Sequence, residues 1–592
     1  MAQEVAVNIQ INGEDIPLFS NIVINQRMGW HHQFDIVIPV EAFKDSSQSI
    51  LNNTKNYLGN LVIISMKPKH FPKETPDNIY EGLITEIGIS RHVKGYREVV
   101  IRGFSPTILI DGANNYRSFT EKTLSDIADS SLENIPQSKL SIKTDPQHTE
   151  IIPYVVQYNE SNFDFLSRLA AKYGEWFFYD GSDLIFGKIT KDHKVDLPVD
   201  KDLFDFDFSL KLIPLNHNQQ AYNYIENEMY SGTSMDVSIN DLDQYGKFAL
   251  DKSEEIFKQE PLYFNEHTIE KDSELVKWIE RRKYTQSKSL VMASGISDNP
   301  FINVGTVINI TEELKNEDDY GQFIITSVSH SSGGTGNYQN NFEAIPYNAN
   351  TPPPNPNIQL PLGEIQSAVV TENDDSDKLG RVKVQFHWQE SPEMSPWIRV
   401  VQPYGGNGQG ELHGFYFIPE IDDEVIVGFE NDNPDRPIVL GSLYHGKSTQ
   451  DIWADQENRT KVIKSRNGNQ IIFSDEDGKE EIRILNKDMD SSTNEISLSM
   501  EGSGKITIKT EGDLEIKAQS ITMDSDQDIK IKAGSKTEIE AQEMKFEATN
   551  TSMKSSAELK LDATTASVKS STQLEINGGA QTTIKGGLVT IN

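Results

Sequence analysis

The residues of this 592-residue chain best suited to acid–base chemistry crowd into one short run, Asp475, Glu476, Asp477, Glu480 and Glu481. Glycoside hydrolysis needs an acid and a base on opposite sides of a bond, in separated environments. Contiguous carboxylates face water instead, so the run reads as a solvated charged loop. His31 and His32 have the type for metal binding. Neighbours in a strand point to opposite faces, however, which leaves two structural histidines. The glycine cluster GGNGQG (residues 405–410) lacks the Lys-Ser/Thr of a phosphate loop and lies between strand-like runs, so it reads as a loop. No catalytic, cofactor or metal site is expected from these residues.

The totals narrow the classes further. A net charge of −35 and a pI near 4.7 exclude nucleic acid or an anionic membrane as the main partner, because phosphate binding needs a basic surface. Cysteine is absent, so there is neither a disulfide framework nor a thiolate metal site. The first residues, MAQEVAVNIQINGEDIP, lack a basic segment followed by an apolar one, and no apolar run is long enough to span a bilayer. The expectation is a soluble cytosolic chain without a signal peptide, any export using a route that cleaves none.

The elements that would position side chains are mostly strands. VAVNIQI, FDIVIPV, LVIISM, LITEIGIS and EVVIRGF are short β-branched runs separated by turn residues. A helix is predicted in FTEKTLSDIADSSLENI, with Thr120 as N-cap and Leu124, Ile127 and Ala128 at helical spacing. A second is predicted in ESNFDFLSRLAAKYG, with Ser161 as cap, Phe165, Leu166 and Leu169 as the apolar face, and Gly174 as the stop. A third covers residues 273–289. NANTPPPNPN is a proline-rich spacer. Beyond it, EIQSAVV, RVKVQFHW, WIRVVQ, GFYFIP, EVIVGFE and PIVLGSLY suit a small barrel of OB type.

From residue 506 an apolar-x-apolar unit recurs every seven or eight residues, twelve times. Its apolar positions include Ile506, Ile508, Leu514, Ile516, Ile521, Met523, Ile529, Ile531, Ile539, Met544, Phe546, Leu559, Leu561, Val568, Leu574, Ile576 and Ile584, and it closes on Val589 and Ile591. In 514–543 no Asn-Gly or Asp-Gly turn folds the units back as hairpins. Each unit buries two small side chains, too little against an ordering entropy of about 1–2 kcal/mol per residue. A single chain would also present open strand edges. Three intertwined chains meet both demands: strands pair between chains and the apolar positions share one axis. With twelve strands on each of three faces, the shaft would be roughly 55–60 Å long. A single-chain solenoid is disfavoured, because so few residues cannot close a coil around their own core. No histidine follows His445, so a metal at the tip would have to come from a partner.

VVQYNESNFDFLSRLAAKYGEWFFYD (155–180) resembles the Q-Y-x-E-S-x-x-x-F-L-x-R-L segment of VgrG spike proteins of type VI secretion. GRVKVQFHW, SPWIRVVQP, FIPEIDDEVIVGFENDNPDRPIVLGSLYHG and the terminal repeats resemble the same family, and the likeness covers nearly the whole chain. It implies a mainly β homotrimer with α/β elements: hub β-barrel 1 (1–110), a mixed segment (111–210), hub β-barrel 2 (211–347), a linker (348–358), an OB-type barrel (359–446) in which His387 and Trp388 pack, a neck (447–505) and a triple-stranded β-helix needle (506–592). The implied function is a non-enzymatic spike whose hub seats on the inner tube protein. Its needle would carry a PAAR-type tip at Val589, Thr590, Ile591 and Asn592, together with effectors or adaptors. Assembly in the bacterial cytoplasm and translocation into a target envelope follow from that role. Spikes of phage tails and of extracellular contractile injection particles share the plan. A tail-spike enzyme that hydrolyses cell-wall glycans is the competing class. It lacks a catalytic pair, and 447–505 is too short for a lysozyme domain. A trimeric adhesin would place a receptor-binding head where the hub motifs lie. The repeat runs to the last residue with no effector domain after it, which fits a carrier.

Overall fold

The computed structural model describes residues 4–43, 50–69, 76–91, 97–265, 267, 269–312, 320–408, 412–449, 454, 456–486, 494–500 and 502–591. Two compact units result, Met1–Ile452 and Trp453–Asn592.

Alternation builds the first unit. In Gln33–Pro39 and Leu61–Pro68 every second residue is buried, so Phe34, Ile36, Ile38, Val62, Ile64 and Met66 share one core while their neighbours face outward. Gly82 leaves room for the Phe34 ring, since a Cβ there would lie 2.5 Å from it. Asn21–Arg27 pairs antiparallel with Gln322–Gly333. Through that pair the strands of 5–104 and of 194–346 join in one curled sheet, thirteen strands among the described residues. The two regions expected as separate barrels thus share one sheet, and Lys194–Pro198 and Leu203–Leu210, placed by sequence in the mixed segment, pair with strands of the second region.

Between the halves, the helix Asn162–Tyr173 begins at Ser161, whose side chain accepts from the Asp164 N–H, and ends at Gly174 with φ +72°. Both ends are where the sequence puts them. The preceding helix corrects its expectation. It runs Leu124–Leu132 and is capped by Thr123, whereas Thr120 belongs to the strand Asn115–Lys122. Thr123 and Asp126 satisfy two helix-end donors reciprocally, which Thr120 cannot do from three residues upstream. Helices Gln244–Ile256 and Asp272–Ser287 pack within the second half; only the latter was expected.

The proline-rich spacer lies on the hub: the Trp176 indole donates to the Asn350 carbonyl (3.2 Å) and the Asn350 N–H to Asp241 (3.0 Å). Beyond it, Gln366–Glu372, Lys383–Phe386, Glu424–Phe429 and Pro437–Ser442 form a sheet around Val370, Val384, Phe386, Val425, Val427 and Val439. Ile398 and Val400 join by single bridges. The run 414–419, expected as a strand, forms none beyond the short pair His413–Gly414 with Gly405–Gly406. Phe415, Tyr416 and Phe417 stay exposed.

In the second unit the expected neck is largely sheet. Thr460–Lys464, Gln470–Ser474, Glu481–Leu485, Asn494–Ser499 and Lys505–Thr510 form an antiparallel meander. The acidic run occupies its second turn, where Asp475 pairs with Lys461 (2.6 Å) and Glu476 with Lys479 (2.8 Å). After Thr510 no residue up to 591 belongs to a strand within this chain. Extended segments are broken by bends at 511–512, 519, 526–527, 534–535, 542, 549, 556–557, 564–565, 571–572 and 587–588, which is the period of the repeat.

Candidate functional site

The segment Gln157 to Arg168 builds a joint between hub and barrel. Buried Arg168 binds both oxygens of Glu160 through Nε and Nη2 (2.7 Å each) and donates from Nη2 to the Val156 carbonyl (2.8 Å). Gln157 donates to the Glu160 carbonyl and accepts from Arg117 (both 2.9 Å). This network fixes the strand Ile152–Glu160, whose outer face carries Tyr154, Val156 and Tyr158 against Trp388 and Phe429 of the barrel. Polar bonds complete the joint. The Val156 N–H donates to Asp435 Oδ1 (2.8 Å), and Asp435 Oδ2 pairs with Lys172 (3.0 Å). The Glu364 N–H and the Gln366 amide both donate to the Tyr158 hydroxyl (2.9 and 2.7 Å), and Gln389 donates to Ser118 (2.6 Å). Within the barrel, hydrogen bonds from Arg381 hold the Asp375 carboxyl down to about 2, and Arg381 Nη1 also donates to the hydroxyl of hub residue Tyr224 (3.4 Å).

The histidines have structural surroundings. They lie in the connection before Gln33–Pro39 rather than in a strand. His31 bonds Thr107 (2.7 Å) and Asp111 (2.9 Å) and packs on Phe163. His32 is fully buried beside Tyr80 and Tyr179, and burial, aided by His31, lowers it to about 3. Burial lowers His330 to about 3 as well. Among the described residues no three His, Asp or Glu side chains gather as metal ligands. Trp388 packs as expected, whereas His387 is exposed and bonds Ser367 (3.1 Å), because the barrel core is already filled by Phe386. Gly405–Gly406 forms the short ladder noted above, and residues 409 and 410 lie outside the described residues.

Every repeat position from Leu514 to Ile591 is exposed in the single chain: Leu514 59 %, Ile531 74 %, Leu561 83 %, Ile591 87 %. Ile506 and Ile508 lie instead in the last meander strand. The alternate positions carry ion pairs within one extended segment, such as Glu515–Lys517 (2.5 Å) and Lys545–Glu547 (2.9 Å). Ser525, Ser555 and Ser570, each the fifth residue of an eight-residue unit, donate to the carbonyl three residues on and so shape a recurrent corner. Val589, Thr590 and Ile591 are exposed, and Asn592 lies outside the described residues.

Sequence reasoning missed the joint and the meander. Nothing local links the two halves of the joint, since Asp435 and Val156 meet only in three dimensions. The meander had one. Asn467-Gly468 and Asp477-Gly478 are hairpin turns of the kind that 514–543 lacks, and both glycines have positive φ.

A curled hub sheet, an OB-type barrel clamped to it and a strand-repeat tail define the architecture of a tail-baseplate hub. Residues 40–335, half of the chain, match the phage tail baseplate hub (GPD) family, and 366–444 match the type VI secretion system/phage-baseplate injector OB domain. The chain belongs to the phage tail baseplate hub family, and its curated relatives include VgrG spike proteins. It is 27% identical over 436 residues to the actin cross-linking toxin VgrG1 of Vibrio cholerae serotype O1, covering 64% of this chain and 36% of the relative. It is 26% identical over 388 residues to the type VI secretion system spike protein VgrG4b of Pseudomonas aeruginosa, covering 56% and 45%. The matches thus span less than half of these relatives' own length. A chain of the Francisella PdpA–VgrG complex in its lidded form superposes with a TM-score of 0.54 at 10% identity, covering 86% of this chain and 80% of that one; the likeness is one of fold.

Proposed function

We propose that the chain is the trimeric spike of a contractile injection system of the type VI secretion kind. Three hubs seat on the inner tube, the barrels lead forward, and the repeats wind into a needle that pierces the target envelope. The protein acts as a mechanical part and carrier, assembled in the cytoplasm and then translocated. A PAAR-type tip docks on Val589, Thr590, Ile591 and Asn592, and effectors or adaptors ride on the spike.

One observation carries this reading: the apolar positions of residues 511–591 are all exposed in the single chain, on extended segments with no strand partner. Backbone donors and apolar rows left in this state are stable only when other chains supply the partners. The mass of the purified chain is the test. Three times 66.7 kDa is expected, and a monomer refutes the reading. Deleting residues 585–592 is expected to abolish binding of a tip protein while the trimer persists; undiminished binding removes the docking site. The match to a phage-baseplate family supports a second reading, the spike of a phage tail or extracellular particle. Neighbouring genes separate the two, a membrane complex beside sheath and tube genes marking type VI secretion.

A further inference from the structure

TPPPNPNI (residues 351–358) is stiff by sequence, because each proline holds φ near about −65° and brings no N–H. In the fold this stretch roofs a hub cavity of about 420 Å³. Ala170 and Ala171 of the helix Asn162–Tyr173 form one wall. Met292 of Val291–Ser297 and Ile345 of Tyr338–Pro346 form another. The volume lies within the roughly 300–1,000 Å³ of small-molecule sites, which share such mainly apolar walls.

The roof is held so that it does not sink into this space. Before the prolines, Trp176 and Asp241 hold Asn350, and Lys191 donates to the Tyr347 and Ala349 carbonyls (2.6 and 3.0 Å). Beyond them, the Gly363 N–H donates to the Asp432 carbonyl (2.7 Å). Between these anchors a proline-rich chain stays extended rather than folding inward. It meets the floor at Gly29, which has φ +72° and where a Cβ would lie 2.6 Å from Asn355 Nδ2.

The charges of the lining decide what fits. Its two buried ions are matched within the protein. Lys288 pairs with Asp241 (2.5 Å), and Glu175 accepts from the Gln147 and His148 N–H groups (3.0 and 2.8 Å). The two exposed ones, Arg27 and Glu343, are opposite in sign and flank Ser327 in the sheet register. An ion entering the cavity would lose its hydration and gain no net counter-charge. Three hydroxyls stay available: Ser167, Ser289 and Ser327 line the space, and their side chains hold no hydrogen bond among the described residues.

We propose that this cavity binds a neutral, largely apolar small molecule carrying one or two hydrogen-bonding groups. Its body packs between Ala171, Ile345 and the prolines, and its polar group meets one of the three serines. Such a ligand touches roof and walls together, so it holds the spacer against the hub. The site lies wholly within the first compact unit and is independent of the trimeric reading.

Phenylnaphthylamine, an uncharged dye that brightens when shielded from water, tests this on the full-length chain. Anilinonaphthalenesulfonate, the same ring system with a sulfonate, is its charged counterpart. The neutral dye is expected to saturate a single site in each chain and to bind there at least about tenfold more tightly than the sulfonate. Ala171→Leu and, separately, Ser289→Leu fill the cavity from two sides and leave the exposed apolar rows of 511–591 unchanged. Each is expected to weaken the site at least about tenfold, with mass and melting temperature near those of wild type. Two variants are used so that one decides if the other fails to fold. The absence of a saturable site, or a site that the folded variants leave at full affinity, overturns the proposal. A sulfonate bound as tightly as the neutral dye overturns the choice of a neutral ligand.

Discussion

Asp435→Ala probes whether barrel and hub are held as one piece. The carboxylate accepts from the Val156 N–H at 2.8 Å and pairs with Lys172 at 3.0 Å, and Val156 is buried while both charged side chains are largely so. Removing it orphans a buried N–H and leaves a largely buried ammonium without its anion. Breaking a buried pair by deleting one partner costs about 3–5 kcal/mol, the lost backbone bond included. Asp435→Asn keeps an acceptor of the same shape and loses only the charge, so its cost is about 1–2 kcal/mol. The apolar contacts of Tyr154, Tyr158, Trp388 and Phe429 survive both changes, so the chain still folds. The effect is then a looser joint, read by hydrogen exchange in peptides covering Ile152–Glu160. At about 1.4 kcal/mol per decade, Asp435→Ala is expected to raise the opening equilibrium by roughly 100-fold or more and Asp435→Asn by about tenfold. Equal protection of wild type and Asp435→Ala would refute the reasoning, and so would an asparagine variant as loose as the alanine one.

Acid is expected to weaken the hub. His32 and His330 are neutral in the fold, at about 3, against 6.5 when unfolded, so unfolding takes up protons and folding does not. Stability is full above pH 6.5, falls as pH drops below it and keeps falling to about pH 3; at pH 5 each imidazole costs about 2 kcal/mol. Melting temperatures of wild type and His330→Gln across pH 4–8 measure this, and parallel curves count against it. In the shaft, Leu559→Asp is expected to lower the trimer's resistance to dissociation by at least about 1.5–3 kcal/mol per copy, since it removes three leucines and adds three charges near one axis. Denaturant midpoints followed by mass decide it, with the exposed Lys560→Asp as control. Thr123→Ala is expected to cost about 1 kcal/mol by removing the cap of Leu124–Leu132, while Thr120→Ala leaves that helix start unchanged. Fraying at 124–127 by hydrogen exchange distinguishes them.

Legibility in the sequence followed the range of the interactions. The helix Asn162–Tyr173 could be read to the residue, because Ser161 and Gly174 act within one turn of its ends. The repeat period could be read because bends recur with the spacing of Leu514, Ile521 and Ile529. Thr120 was mistaken for a cap because it too has a hydroxyl; only the reciprocal partner Asp126 singles out Thr123. The continuous hub sheet could not be read, since Ile24 meets His330 across three hundred residues and nothing local encodes that pairing. The joint was hidden for the same reason, although its two halves, the Gln157–Arg168 segment and Asn433–Asp435–Arg436, each stood out as motifs.

The chain divides its stability between two kinds of core. Hub and barrel each enclose their own: Phe34, Ile36 and Val62 in one, Val384, Phe386 and Val427 in the other. Beyond residue 510 none is enclosed, and the apolar rows await partners. An element with its own core can open locally without its neighbours. In the proposed trimer, a wall whose core is shared cannot, because freeing one strand would expose the axis side chains of all three chains and break the hydrogen bonds on both its edges. The short units that make the repeat too weak to fold alone would therefore make the proposed needle cooperative along its length. Outward pairs such as Glu515–Lys517 add solubility without adding a core that a single chain could keep. Weakness in the single chain and stiffness in the assembly come from the same residues.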